Sequence, residues 1–194
     1  MTSKHYFDIC WIGLLALLAA VAGCESVPRA GTAAPQSINT EQVIADLTPD
    51  IESLYLAWHE LDQTCKDIKF LERAFLFDPD DRQLGYIQNA TLHIQDASVR
   101  IHQQWEQLSV LHYIRTDRMR DYLTLRVKGL TSAIDSIAYD EMFLTIYSPH
   151  ISDAAISGDL NKARDNMKKC ADWMNRILDR LLPIANASAP PVAL

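Results

Sequence analysis

Two cysteine thiols, those of Cys65 and Cys170, are the side chains whose type and placement most directly suggest chemistry. A disulfide between them would close a loop of about 105 residues and stabilise the fold by about 4–5 kcal/mol in the chain-entropy model. If the last helix begins near Gly158, both sulfurs lie about 18 Å from the same end of the molecule. If it begins at Pro149, Cys170 lies about 32 Å from that end, too far from Cys65 for a disulfide to form. We predict the disulfide; the alternative is two buried free thiols.

Two carboxylates, Glu72 and Glu141, interrupt otherwise apolar stripes and are the weak candidates for metal ligands. Each lies near the same end of the predicted molecule, where His150 or Asp153 could complete a cation site. The simpler interpretation is a carboxylate that is solvated or paired with a cation of its own helix. We therefore expect no metal.

Motifs that would indicate catalysis or a cofactor are missing from the sequence. The chain lacks His-Glu-x-x-His, Gly-x-Ser-x-Gly, Cys-x-x-Cys, the haem attachment motif and a Gly-rich phosphate loop. We therefore expect no catalytic residues, no cofactor and no enzyme activity.

A basic segment, residues 111–128, stands out in an acidic chain. It carries a local net charge of +3, whereas the whole chain has −7. Basic and aromatic side chains that alternate in this way can contact lipid headgroups or an acidic partner. The residues that we predict to make this contact are Tyr113, Arg115, Arg118, Arg120 and Tyr122. The alternative is a solvated surface with local ion pairs.

The N-terminal residues resemble the signal peptide of bacterial lipoproteins. Ile9 to Ala22 form an apolar stretch of 14 residues, about 21 Å as a helix and too short to cross a bilayer. Val21-Ala22-Gly23-Cys24 then resembles the lipobox of that family. The resemblance implies cleavage of residues 1–23 and acylation of Cys24. Because Glu25 rather than Asp follows the cysteine, it further implies the periplasmic face of the outer membrane.

The segments on either side of the predicted folded part have little periodicity. Residues 24–39 are rich in small residues and proline, which is typical of a flexible tether. Residues 185–194 contain Pro190-Pro191 and are predicted to be a disordered tail. We therefore place the folded domain at residues 40–184, in a compartment whose oxidising character favours a disulfide.

Helical signals fill the domain. Thr48-Pro49, Asp78-Pro79 and Ser148-Pro149 each combine an N-cap residue with proline at the first helical position, so helices are predicted to begin near 49, 79 and 149, or soon after. The third helix is placed by a break near 115–117, with Thr116 as its N-cap. The rival break at Lys128-Gly129 would start that helix near 131.

Apolar residues recur at alternating spacings of three and four, the period of packed helices. The stripe of the first helix is Leu47, Ile51, Leu54, Trp58, Leu61, Cys65, Ile68, Glu72 and Phe75. That of the last helix is Ile156, Leu160, Ala163, Met167, Cys170, Met174, Ile177, Leu181 and Ile184. Two more stripes lie between them. The first is Leu84, Ile87, Ile94, Ile101, Trp105 and Leu108, a looser stripe interrupted by Thr91 and Ser98. The second is Leu123, Val127, Leu130, Ile134, Ile137, Glu141 and Leu144. We predict an all-α, up-down-up-down four-helix bundle.

Charge and composition limit the classes of function that the protein can have. A net charge of −7 argues against a nucleic-acid binder. We expect a non-catalytic helical bundle, held beside the membrane by its lipid anchor, that acts as an interaction or scaffold module and engages another envelope protein, peptidoglycan or lipid. The alternative is a bundle that binds a ligand or cofactor in a pocket lined by Trp58, Trp105, Met167 and Met174; the simpler interpretation of those four is plain core.

Overall fold

The computed structural model describes residues 39–75 and 81–186. Its helices are α1 (Thr40–Phe75), α2 (Asp81–Ser109), α3 (Thr116–Tyr147) and α4 (Ala154–Asn186), with short 3-10 turns at Leu111–Tyr113 and Ser148–His150. Each helix packs against the next along the chain, and α4 returns to α1. The predicted all-α four-helix bundle is therefore confirmed.

Several predictions concern residues outside the described ranges. These are the signal peptide 1–23, the lipidated Cys24, the tether up to residue 38 and the tail from residue 187 onward. Ala185 and Asn186, which the sequence placed in the tail, are instead the last two residues of α4. None of the helices in the described ranges is both long enough and apolar enough to cross a membrane.

The predicted stripes form the core. All nine positions of the α4 stripe are buried, and six of the α1 stripe are buried as well. Two polar interruptions of the α2 stripe are also buried, and both are satisfied by hydrogen bonds. Thr91 Oγ1 donates to the carbonyl of Ile87 at 2.8 Å, and Ser98 Oγ accepts from Trp58 Nε1 at 3.0 Å. Buried residues of all four helices, from Ile44 in α1 to Ile184 in α4, form one continuous core.

The start of α1 corrects the prediction at Thr48-Pro49. The helix begins at Thr40 and runs through Pro49, and Asn39 Oδ1 accepts from the amide of Gln42 at 3.3 Å at its N-terminus. Proline in a helix interior removes one backbone hydrogen bond and crowds the preceding turn. In that turn, Arg180 Nη1 of α4 donates to the carbonyl of Asp46 at 2.6 Å. Contact with α4 therefore helps to keep the helix continuous through a proline.

The start of α4 lies between the two positions considered for it. Pro149 belongs to the 3-10 turn, and the α-helix begins at Ala154. Asp153 caps it, since its Oδ1 accepts from the amides of Ala155 at 2.9 Å and Ile156 at 3.0 Å. The start predicted at Asp78-Pro79 lies outside the described residues, which resume with α2 at Asp81.

The start of α3 confirms the break near 115–117. Thr116 is the first helical residue, and Arg115 rather than Thr116 occupies the N-cap position. Gly129, the rival stop, lies inside the helix. A Cβ atom there would stand 3.0 Å from Gln104 Oε1 of α2. Glycine at 129 therefore permits a close approach of α2 and α3 instead of ending a helix.

The predicted disulfide is absent: Cys65 and Cys170 are free, and both are buried. The ion pair between Glu60 and Lys169, whose atoms lie 3.2 Å apart, shows which turns of α1 and α4 are level. Counting from that pair along antiparallel helices, Cys65 faces residue 164, and Cys170 lies about 9 Å further along. This exceeds the Cα separation of about 7 Å that a disulfide can span. The two sulfurs are not level, as the disulfide would require, because α4 begins at Ala154 rather than near Gly158.

Candidate functional site

The basic segment lies where α2 turns into α3, at one end of the bundle. Leu111 and Met119 are buried and fix the turn to the core. The ring of His112 lies 3.2 Å from Thr48 Oγ1, a hydrogen-bond distance that joins the turn to α1. A hollow of about 320 Å³ separates the turn from the first residues of α1, Glu41 and Ile44. The basic segment and the N-terminus of α1 therefore share one end of the molecule.

Four of the five predicted contact residues are accessible there. Tyr113 is 84 % exposed, and Arg115, Arg118 and Arg120 are exposed as well. Tyr122 is not available in the same way. It is half-buried, and its hydroxyl donates to the carbonyl of Gln107 at 2.6 Å.

The charges of the basic segment are only partly neutralised. Arg115 Nε lies 3.2 Å from Asp117 Oδ1. Arg118 and Arg120 have no ion-pair partner within residues 39–75 and 81–186. Arg126 stacks over the Tyr122 ring, 4.9 Å from its centroid. Two arginines thus remain free to bind an anionic surface.

The weak metal candidates do not come together. Glu141 Oε1 pairs with Lys168 Nζ of α4 at 3.3 Å, Asp153 caps α4, and His150 stacks on Tyr86 with 4.6 Å between ring centroids. Across the described ranges, no group of three His, Cys, Asp or Glu residues is arranged to hold a metal ion.

A buried acid that the sequence analysis missed lies between α2 and α3. The side chain of Asp140 is 4 % exposed, and its Oδ1 lies 2.8 Å from His93 Nδ1. Its Oδ2 lies 3.8 Å from Arg100 Nη2 and has no hydrogen-bond partner in the described part of the chain. The His93 ring stacks on Phe143, with 4.6 Å between centroids. This contact joins α2 to α3.

The proposed pocket residues divide between two places. Met167 and Met174 are fully buried in the core. Trp58 and Trp105 are half-buried at the groove between α1 and α2, where Tyr55 and His102 complete a closed cluster of four rings. The centroids of neighbouring rings in this cluster are 4.3–5.5 Å apart. The four predicted residues therefore do not line one pocket, and the two tryptophans pack against the edge of the core.

The burial of the two thiols governs their acid–base chemistry. Burial raises the pKa of Cys170 to about 12, and the nearby carboxylate of Glu60 adds to the effect. Burial likewise raises the pKa of Cys65. Both groups are held as protonated thiols, which are poor nucleophiles and poor metal ligands.

Comparison of the chain with protein-family models, with curated proteins and with solved structures finds no match.

Proposed function

We propose that this protein is a lipid-anchored interaction module of the bacterial envelope, facing the periplasm from the outer membrane. Its helical bundle carries no catalytic role, and its partners are the membrane, through acylated Cys24, and an acidic surface reached by the basic segment. One observation carries this proposal: the exposed arginines lie at the end of the bundle where Asn39 connects α1 to the segment with the lipobox-like residues.

Charge and geometry support a contact with anionic headgroups or an acidic protein surface. The guanidinium groups of Arg118 and Arg120 are exposed and have no ion-pair partner in the described residues. Each such cation close to an anionic membrane contributes about 1 kcal/mol of binding. Tyr113 offers an exposed ring of the amphipathic type found at membrane interfaces.

The test is binding of residues 39–194 to lipid vesicles with and without phosphatidylglycerol. Without the anchor, binding to the vesicles depends on the basic segment alone, and the four helices keep the core that they share. We expect binding only to the anionic vesicles, and we expect R118E/R120E to abolish it. The matched control is R73E/K162E, which makes the same charge change at exposed sites outside the basic segment.

Equal vesicle binding by R118E/R120E and R73E/K162E would show that the basic segment does not bind the anionic vesicles. The anchor is tested separately in the full chain. Cys24→Ala should prevent incorporation of labelled palmitate and release the protein from the outer-membrane fraction.

A further inference from the structure

The helix α3 carries a second stripe that the bundle does not use. Its inner stripe faces the core, with Leu123, Leu130, Ile137 and Leu144 buried. The outer stripe lies on the opposite side of the helix, and its residues are spaced alternately three and four apart. Its members are Leu125, Lys128, Ser132, Asp135, Tyr139, Met142 and Ile146, and all seven are exposed.

The outer stripe is unusual for a solvated helix face. Leu125 and Tyr139 are each 56 % exposed, Met142 is 48 % and Ile146 is 49 %. A bundle helix needs only one apolar stripe, and its outward face is ordinarily polar. Between the large residues at its two ends, the face contains a shallow hollow of about 620 Å³ whose lining includes Thr131 and Ser132. Small side chains at this point allow another helix to approach closely.

Because its spacing alternates between three and four, the outer stripe from Leu125 to Met142 maps onto itself when it is turned end for end. Leu125 and Met142, Lys128 and Tyr139, and Ser132 and Asp135 all share one midpoint, between residues 133 and 134. A two-fold axis at that midpoint, perpendicular to the helix, therefore places each residue opposite its counterpart in a second copy. An interface between identical subunits requires the side chains at such facing positions to fit each other.

We propose that a second copy of this chain docks on the outer stripe, so that two α3 helices pack antiparallel about this axis. Leu125 then packs against Met142 of the other copy, and this contact occurs twice. Lys128 lies over the Tyr139 ring of the other copy, a cation–π arrangement. At the rim, Ile146 meets Asp121, whose carboxylate stays in water.

Charge complementarity selects this occupant and this direction. Neither Lys128 nor Asp135 has an ion-pair partner within the described ranges. In the antiparallel pair, Lys128 lies about 6 Å along the axis from Asp135 of the other copy, within reach of its four-carbon chain. A parallel pair would instead bring lysine against lysine and aspartate against aspartate, which costs binding energy.

The antiparallel arrangement also has a consequence for the anchor. It places the Asn39 residues of the two copies at opposite ends of the dimer. We therefore expect the dimer to lie along a membrane that holds both copies.

The test is sedimentation velocity of residues 39–194 over a range of concentrations, because this part contains the core that all four helices share. We expect a reversible monomer–dimer equilibrium. K128E and D135K should each weaken it about tenfold, since each change replaces two attractions with two repulsions. K162E, at an exposed site of α4, is the matched control and should leave it unchanged.

Mixing the two variants gives the decisive result. In a heterodimer of K128E with D135K, the two substituted side chains carry opposite charges and face each other, as do the unchanged Lys128 and Asp135. Association of the mixture should therefore return to the wild-type level, and a folding defect cannot produce this rescue. A wild-type chain that stays monomeric at every concentration, or a mixture that fails to associate, would overturn the proposal. Neither outcome affects the vesicle experiment, because its variants lie outside the outer stripe.

Discussion

At the scale of single residues, the two thiols show how burial decides chemistry. Cys170 and Cys65 are both apolar positions of predicted stripes, and both are buried. The sequence predicted their burial correctly and their bonding wrongly, because bonding depends on a height difference of about 9 Å between two helices.

Thiol burial predicts a pH dependence of stability. The pKa of Cys170 is raised to about 12 in the folded state, whereas an unfolded cysteine has a pKa of about 8.5. Above about pH 8.5 the unfolded chain therefore loses this proton and the folded chain keeps it. The free energy of unfolding should fall by up to about 1.4 kcal/mol per pH unit from this thiol.

Urea unfolding of residues 39–194 at pH values from about 7 to about 10 measures this slope. Cys170→Ala should lower stability at every pH and make the slope less steep, because it removes one of the two buried thiols whose pKa is raised and leaves Cys65. As an independent measurement, iodoacetamide should label neither buried cysteine in the folded protein at about pH 8 and both in urea. Rapid labelling of Cys170 in the folded protein would contradict the prediction.

Asp140 shows what single-residue patterns leave out. It adjoins Glu141, which the stripe pattern selected, yet Asp140 is the buried member of the two. Its counterpart His93 lies 47 positions away in the sequence. Only the packing of α2 against α3 brings them together, so no local spacing could have indicated the pair.

At the scale of elements, proline and glycine have different meanings in different surroundings. Pro149 marks a turn that precedes a helix, whereas Pro49 lies inside one. Both follow good N-cap residues, so local sequence treats them alike. Packing against α4 stabilises the continuous α1 and overrides the local signal.

Alanine should change the stability of the protein by different amounts at the three glycines that lie within helices. A Cβ atom at Gly85 or Gly158 would meet nothing within 4 Å, whereas at Gly129 it would lie 3.0 Å from Gln104 Oε1. Alanine in an open helical position stabilises by about 0.5–1 kcal/mol. We expect that gain for G85A and G158A.

For G129A the amide of Gln104 must move, so the gain should be smaller by at least about 0.5 kcal/mol. Thermal unfolding of the three single variants, compared with wild type, measures the differences. A gain for G129A equal to the other two would show that the approach of α2 and α3 does not depend on this glycine.

At the scale of the whole molecule, one shared core connects all four helices. Each described helix contributes its buried stripe to the same cluster, so none retains its apolar contacts once its neighbours separate. Single domains of this kind unfold in one cooperative step.

We therefore expect far-ultraviolet circular dichroism and tryptophan fluorescence to give the same urea midpoint for residues 39–194. The probes are well placed, because Trp58, Trp105 and Trp173 lie on α1, α2 and α4. A fluorescence transition at lower urea than the loss of helix would mean that part of the bundle separates first.

The sequence by itself determined the helical class, the number of helices, the break before α3 and most of the buried positions, because these follow from residue spacing along one helix. The tertiary structure alone decided the relative heights of the helices. Because of these relative heights, Cys65 and Cys170 lie apart, His93 contacts Asp140, and Glu141 pairs with Lys168. The physical reason is that a helix sets which side chains share a face, whereas the loops and the packing set which turns of two helices lie level.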